Sequence, residues 1–82
     1  MLVRDRVLGI VHKHVKIAEE KITDDANLAN DLGVDSLTLF EIILDMEKEF
    51  ACEIPEKESN DIVSLGSAIA YIESKIVQGL AK

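Results

Sequence analysis

The chain is poor in what builds sheets, disulfides and membrane anchors. In 82 residues it has one cysteine, one proline, one tyrosine, two phenylalanines and no tryptophan. A lone cysteine, Cys52, cannot close an internal disulfide and fits a reducing compartment. Sustained apolar–polar alternation is missing, so the strand signal is weak. No run approaches the roughly 20 apolar residues of a membrane span, and Met1-Leu2-Val3-Arg4-Asp5-Arg6 does not open a signal peptide. A cytoplasmic location is the expectation. Positive charge is scarce too: nine Lys and Arg stand against sixteen Asp and Glu, a net of −7. That shortage argues against nucleic acid, whose phosphates need Lys and Arg for counterion release, and against an anionic membrane surface. It favours a soluble protein that meets basic partners.

The length suits a single domain spanning 1–82. A domain of this size buries only about 60% of the surface its unfolded chain exposes, so a deep catalytic cleft is hard to build. There is no internal repeat, linker or low-complexity tract. What is present is helical periodicity, in three places. Val3, Val7, Ile10 and Ile17 share a stripe, with Val11 and Val15 beside it, which predicts an amphipathic helix over Leu2 to Val15. A second helix is expected from Ser36 to Phe50, with Leu39, Ile42, Ile43, Met46 and Phe50 on its core face. A third runs from Leu65 to Val77 on a stripe of Leu65, Ile69, Ile72 and Ile76, with Ala68 alongside and Ser64 as its N-cap. The polar, proline-initiated segment Ile54 to Ile62 has room for one helical turn. Ala18 to Val34 reads as a long loop pinned by Ile22, Leu28 and Leu32, and long loops in compact domains are often functional.

The second helix carries more apolar surface than one buried face needs. Leu37, Phe40 and Leu44 lie more than about 90° from the centre of its core stripe, with Glu47 among them and Glu41 and Lys48 alongside. Two readings stand: a bundle that wraps its middle helix on two sides, or a contact strip for other proteins, with apolar anchors and a charged rim. Of the three, Phe40 is the one expected to be partly buried. The charge is uneven as well. Residues 17–61 carry −11, whereas residues 1–16 carry +3 and residues 62–82 carry +1.

Just before that helix stands Asp31-Leu32-Gly33-Val34-Asp35-Ser36-Leu37. Ser36 has no base near it in sequence that would activate it as a nucleophile, and reads as a place where something is attached. Asp35 is a good N-cap. Ser36 falls in the first turn of that helix.

These residues resemble the acyl carrier proteins. The family's Asp-Ser-Leu motif, preceded by Leu-Gly, stands as Leu32-Gly33-Val34-Asp35-Ser36-Leu37. A mostly apolar helix with acidic punctuation follows (Glu41, Glu47, Glu49), then Ile54-Pro55 and a last amphipathic helix around Ser67-Ala68-Ile69-Ala70-Tyr71-Ile72. The likeness runs from about Val7 to Ile76. It implies an all-α fold: a small four-helix bundle with a short third helix and a long loop between helices 1 and 2. It implies that Ser36 carries covalent 4′-phosphopantetheine, installed from coenzyme A by a phosphopantetheinyl transferase, and that the terminal thiol holds acyl chains as thioesters. Asp35 would meet a basic side chain or metal on that transferase, and Leu37 an apolar pocket there. Acyl-chain-processing enzymes with basic surfaces would dock on Asp35, Leu37, Phe40, Glu41, Leu44 and Glu47. Leu28, Ile43, Met46, Ile54, Ile62 and Ile69 are candidates to line a space for the acyl chain, and Met46 repacks at little cost.

Thr38, where many members carry an acid, and Phe40, where a small aliphatic is common, depart from the pattern on the partner-facing side. Fatty acid biosynthesis is the default pathway; polyketide, lipid A and aminoacyl carriers stay open. A non-catalytic monomer is expected, and no metal. His12 and His14 point to nearly opposite sides of their helix and cannot share an ion; His14 is expected to pack with a satisfied ring. Asp24-Asp25 and Glu19-Glu20 could weakly hold calcium but lack the spacing of a dedicated loop. Cys52 is filler, and Tyr71 is expected to keep a wet hydroxyl. The rivals are an unmodified helical interaction module using the same strip and, remotely, a small enzyme, for which no nucleophile–base pair or phosphate cradle is present.

Overall fold

The computed structural model describes residues 2–80, with side chains described for residues 2–76. The elements are α1 (Val3–His14), a single 3₁₀ turn (Glu19–Lys21), α2 (Ser36–Phe50), α3 (Glu56–Ser59) and α4 (Leu65–Leu80). Among the described residues the only extended pairing is one isolated antiparallel bridge between Asn27 and Ser64. The all-α expectation therefore holds, with the short third helix and the long first loop in their expected places.

α1 packs against both α2 and α4. Val7, Ile10 and Val11 are its buried residues, and Val3, Val15 and Ile17 pack half-covered against the same core. α2 contributes Ile42, Ile43 and Met46, and α4 contributes Leu65, Ala68, Ile69 and Ile72. Polar clasps from near each end of α1 reach the C-terminal half of α2. Arg6 pairs with Glu49 and lies 4.9 Å from the centroid of the Phe50 ring. The His14 ring Nε2 lies 2.7 Å from Asp45 Oδ2, with Lys13 Nζ 3.4 Å from the same oxygen. His14 is thus the packed, satisfied ring expected of it. Its bond, helped by Lys13, holds the Asp45 carboxyl below the usual range.

The helix ends follow their caps. Ser64 Oγ accepts from Ser67 N–H at 3.1 Å, and Ser67 Oγ accepts from Ser64 N–H at 2.8 Å, a reciprocal box that starts α4. α2 ends at Ala51, whose φ of 51° is the left-handed conformation that stops a helix.

The long loop is pinned as expected by buried Ile22, Leu28 and Leu32, and also by Ala26 and Val34. It is stitched to the start of α4 by Leu28 N–H to Val63 O (3.0 Å), Leu65 N–H to Ala26 O (3.2 Å) and Gly66 N–H to Asp24 O (2.9 Å). A Cβ at residue 66 would stand 3.0 Å from Asp24 O, so glycine is what permits that last contact. Within the loop, Asn27 caps a tight turn: its Oδ1 accepts from Asn30 N–H, and its own N–H donates to Asp31 Oδ2, both at 2.8 Å.

The expectation for Tyr71 needs correcting. The Tyr71 hydroxyl is not wet: it donates to Glu58 Oε1 at 2.6 Å, and Lys75 Nζ lies 3.5 Å from that oxygen. Tyr71 lies off the main stripe of α4, as its position implies, but that side faces α3 rather than water. Partial burial and the adjacent carboxylate push the phenol pKa up, while the phenol bond and Lys75 hold Glu58 down.

Candidate functional site

The approach to α2 is set residue by residue. Leu32 and Val34 are buried on either side of Gly33, whose φ of 71° lies in the left-handed region. That turn, closed by Val34 N–H donating to Leu28 O at 2.8 Å, leaves Asp35 in an extended conformation at the helix mouth. Asp35 Oδ1 accepts from Thr38 N–H at 2.8 Å, which is the expected N-cap. The Thr38 backbone bond comes first among the causes that hold the Asp35 carboxyl below its ordinary range.

Ser36 is therefore the first residue of α2, exposed, with its hydroxyl beside the capped N-terminus. The N–H groups of the first helical turn have no helical carbonyl to bond. A phosphate ester on Ser36 would meet those donors and the positive end of the helix dipole, so the residues present fit a phosphodiester-linked group.

The outer strip of α2 is open. Leu37 is 67% exposed, Phe40 56% and Leu44 38%, with Glu41 exposed beside them. Leu44, not Phe40, is the most covered of the three, which reverses the expectation for Phe40. The reason lies in where the Phe40 ring stands. Phe40 and Ser36 both line a cleft of about 580 Å³ between α2 and α3, and one side of the ring faces that open space. Glu47 differs from the rest of the strip: it is half-buried, and its Oε2 accepts from Ile54 N–H at 2.8 Å, tying the end of α2 to the segment that enters α3.

The cleft has an apolar floor of Leu39, Ile43 and Ile54, with Glu56, Ser59 and Asn60 on the α3 side. Of the six candidates for an acyl space, Ile43 and Ile54 line this cleft. Leu28 and Ile62 line a separate hollow of about 280 Å³, and Leu39 borders both hollows. Met46 and Ile69 are buried core residues that line neither. Leu39 and the α3 residues are the part of the cleft that the sequence did not reveal. The only signal for them is Ile54-Pro55, which turns the chain back over α2.

Among the described residues no group of His, Cys, Asp and Glu is arranged to hold a metal ion, and no helix is long and apolar enough to cross a membrane. Cys52 is half-buried, and burial pushes its thiol pKa up, away from the reactive thiolate.

An all-helical bundle with an exposed serine at a capped helix start fits a carrier-type domain. Residues 5–72 match the family described as the phosphopantetheine attachment site. A solved acyl carrier protein from Enterococcus faecalis, studied for its high thermal stability, is similar at 34% sequence identity and a TM-score of 0.77. The match covers 90% of this chain and 98% of that one. The chain belongs to the acyl carrier protein family. Its cofactor is 4′-phosphopantetheine, held covalently.

Proposed function

We propose that Ser36 bears the arm, and that the protein shuttles acyl intermediates of fatty acid biosynthesis as thioesters on the arm's terminal thiol. The observation that carries this is the exposed Ser36 hydroxyl at the capped start of α2, beside an uncovered apolar strip. In the loading step Ser36 Oγ forms a bond to the β-phosphorus of coenzyme A. The pyrophosphate linkage breaks, the adenosine bisphosphate leaves, and the serine proton passes to a base on the transferase. The chain itself is a shuttle rather than a catalyst, because the arm supplies the chemistry.

Asp35, Leu37, Phe40, Glu41 and Leu44 form the docking face for that transferase and for basic acyl-processing enzymes, with Glu47 at its edge. Apolar contacts supply affinity there, and the acidic field steers approach. The cleft over Ile43 and Ile54 is the place for the acyl chain. Thr38 and Phe40 sit on or beside this face, so they are where a polyketide, lipid A or aminoacyl carrier would differ from a fatty-acid carrier.

The test is intact mass after incubation with coenzyme A and a broad-specificity transferase. A phosphopantetheine increment is expected on the wild type and none on Ser36→Ala, with the helical circular dichroism of both unchanged. An increment that survives Ser36→Ala overturns the assignment. The cargo found on protein isolated from its native cell tests the pathway: straight-chain acyl groups are expected, and an aminoacyl or polyketide group would replace that part of the reading.

A further inference from the structure

The outer ridge of α2 changes sign along its length. Leu37, Glu41, Leu44 and Lys48 are all exposed. Their spacing of four, three and four residues keeps them within about 60° of arc at about 100° per residue, on a ridge about 16 Å long. Its early half presents acid, at Asp35 and Glu41. The late half differs. The last six residues of α2 hold the charges Asp45, Glu47, Lys48 and Glu49. All three acids are engaged within the molecule: Asp45 with His14 and Lys13, Glu49 with Arg6, and Glu47 with the Ile54 N–H. Lys48 is exposed and pairs with no acid among the described residues. Of its two preceding helical neighbours, Asp45 is turned to α1 and Leu44 carries no charge. The charge this end of the ridge offers a partner is therefore positive, on a chain with a net charge of −7.

We propose that Lys48 is a specificity-determining residue of the docking face, and that its counterpart is a carboxylate on an acyl-processing enzyme. The proposal rests on the reading that Ser36 bears the arm, and it narrows the partner. That enzyme is basic opposite Asp35 and Glu41, apolar opposite Leu37 and Leu44, and acidic opposite Lys48. The order of charges also sets direction. Turned end for end, the same surface would put its base on Lys48 and its acid on Glu41, with like charges facing at both ends. A uniformly basic surface gains from the overall field but meets repulsion at Lys48. A second copy of this chain is the poorer occupant, because two chains of −7 repel each other.

The experiment uses the full chain, loaded from octanoyl-coenzyme A by a broad-specificity transferase, and acyl-processing enzymes purified singly from its native cell. Turnover against carrier concentration gives KM and kcat at low and at high salt. With at least one enzyme, Lys48→Glu is expected to raise KM by about threefold to tenfold at low salt, as one screened attraction becomes a repulsion. The kcat should be unchanged, and the effect should shrink at high salt. Lys16→Glu makes the same charge change at an exposed base outside α2, and should leave KM as in the wild type. On that enzyme, reversing one surface acid to Lys should bring the Lys48→Glu KM back towards the wild-type value. An unchanged or lowered KM with every enzyme overturns the proposal. So does an equal effect of Lys16→Glu, which would make net charge the cause, or the failure of every surface-acid reversal to rescue. A wild-type dimer in sedimentation that Lys48→Glu dissolves would seat a second copy on the ridge and overturn it as well. If no acyl mass appears on the wild type, the assignment of Ser36 fails, and the proposal fails with it by a separately visible route.

Discussion

Three residues fix how α2 begins and ends, and each can be tested alone. Gly33 sits at a φ of 71°, where a Cβ meets no neighbouring atom but the backbone itself is strained for any L side chain. Gly33→Ala is expected to cost about 1–2 kcal/mol, the left-handed penalty, read as a shift in the urea midpoint at constant slope. Ala51 pays that same penalty at the far end, with a φ of 51°. Ala51→Gly should raise stability by up to about 1 kcal/mol, because glycine populates that region freely though it loses more entropy on folding. Asp35→Ala removes the side-chain acceptor of the Thr38 N–H, and thermal denaturation should show a melting point lower by a few degrees. At this scale the sequence was informative where chemistry is local. Asp35, Ser64 and Gly33 declare a cap, a cap and a turn by their residue types, and the structure uses each that way. It was uninformative where a side chain's fate depends on a distant segment. Neither the Tyr71 hydroxyl nor the Phe40 ring could be placed without knowing that α3 lies against α4 and α2.

Elements behave the same way. α1, α2 and α4 are long enough for a stripe to repeat, and their buried residues are the ones the stripes named. α3 has four residues, too few to show a period, and only Ile54-Pro55 marked its start. The cleft is a relation between α2 and α3, so half of its lining was invisible in the chain. The stripe on α4 also says where the bundle is most vulnerable. Ile72 is fully buried between the helices. Ile72→Ala is expected to cost about 2–5 kcal/mol, against a total of roughly 4–12 kcal/mol for a chain of this length. The full-length variant should melt far below the wild type or be unfolded at 37 °C by circular dichroism.

For the molecule as a whole, charge decides how conditions act. The −11 held within residues 17–61 repels itself. Added salt, with a Debye length of about 10 Å at 0.1 M, or millimolar divalent cations should therefore raise the melting temperature. A flat or falling curve would show that the acids are already neutralised within the fold. Acid acts in the opposite sense. Asp35, Asp45 and Glu58 all have carboxyl pKa values lowered in the folded state. Their contribution is present above the ordinary carboxylate range and is lost as pH falls through it, below about 4. Melting followed against pH should fall off there. Mutating the three to Asn or Gln should flatten the drop.

The seam between the long loop and the head of α4 has a mechanical corollary. The chain segment that delivers Ser36 is latched by backbone bonds from residues 24–28 to residues 63–66, so it shares the stiffness of the whole bundle. A crane with a welded base gains no reach by leaning. On the proposed function, any distance covered between one enzyme and the next comes from the pendant chain or from diffusion of the entire body.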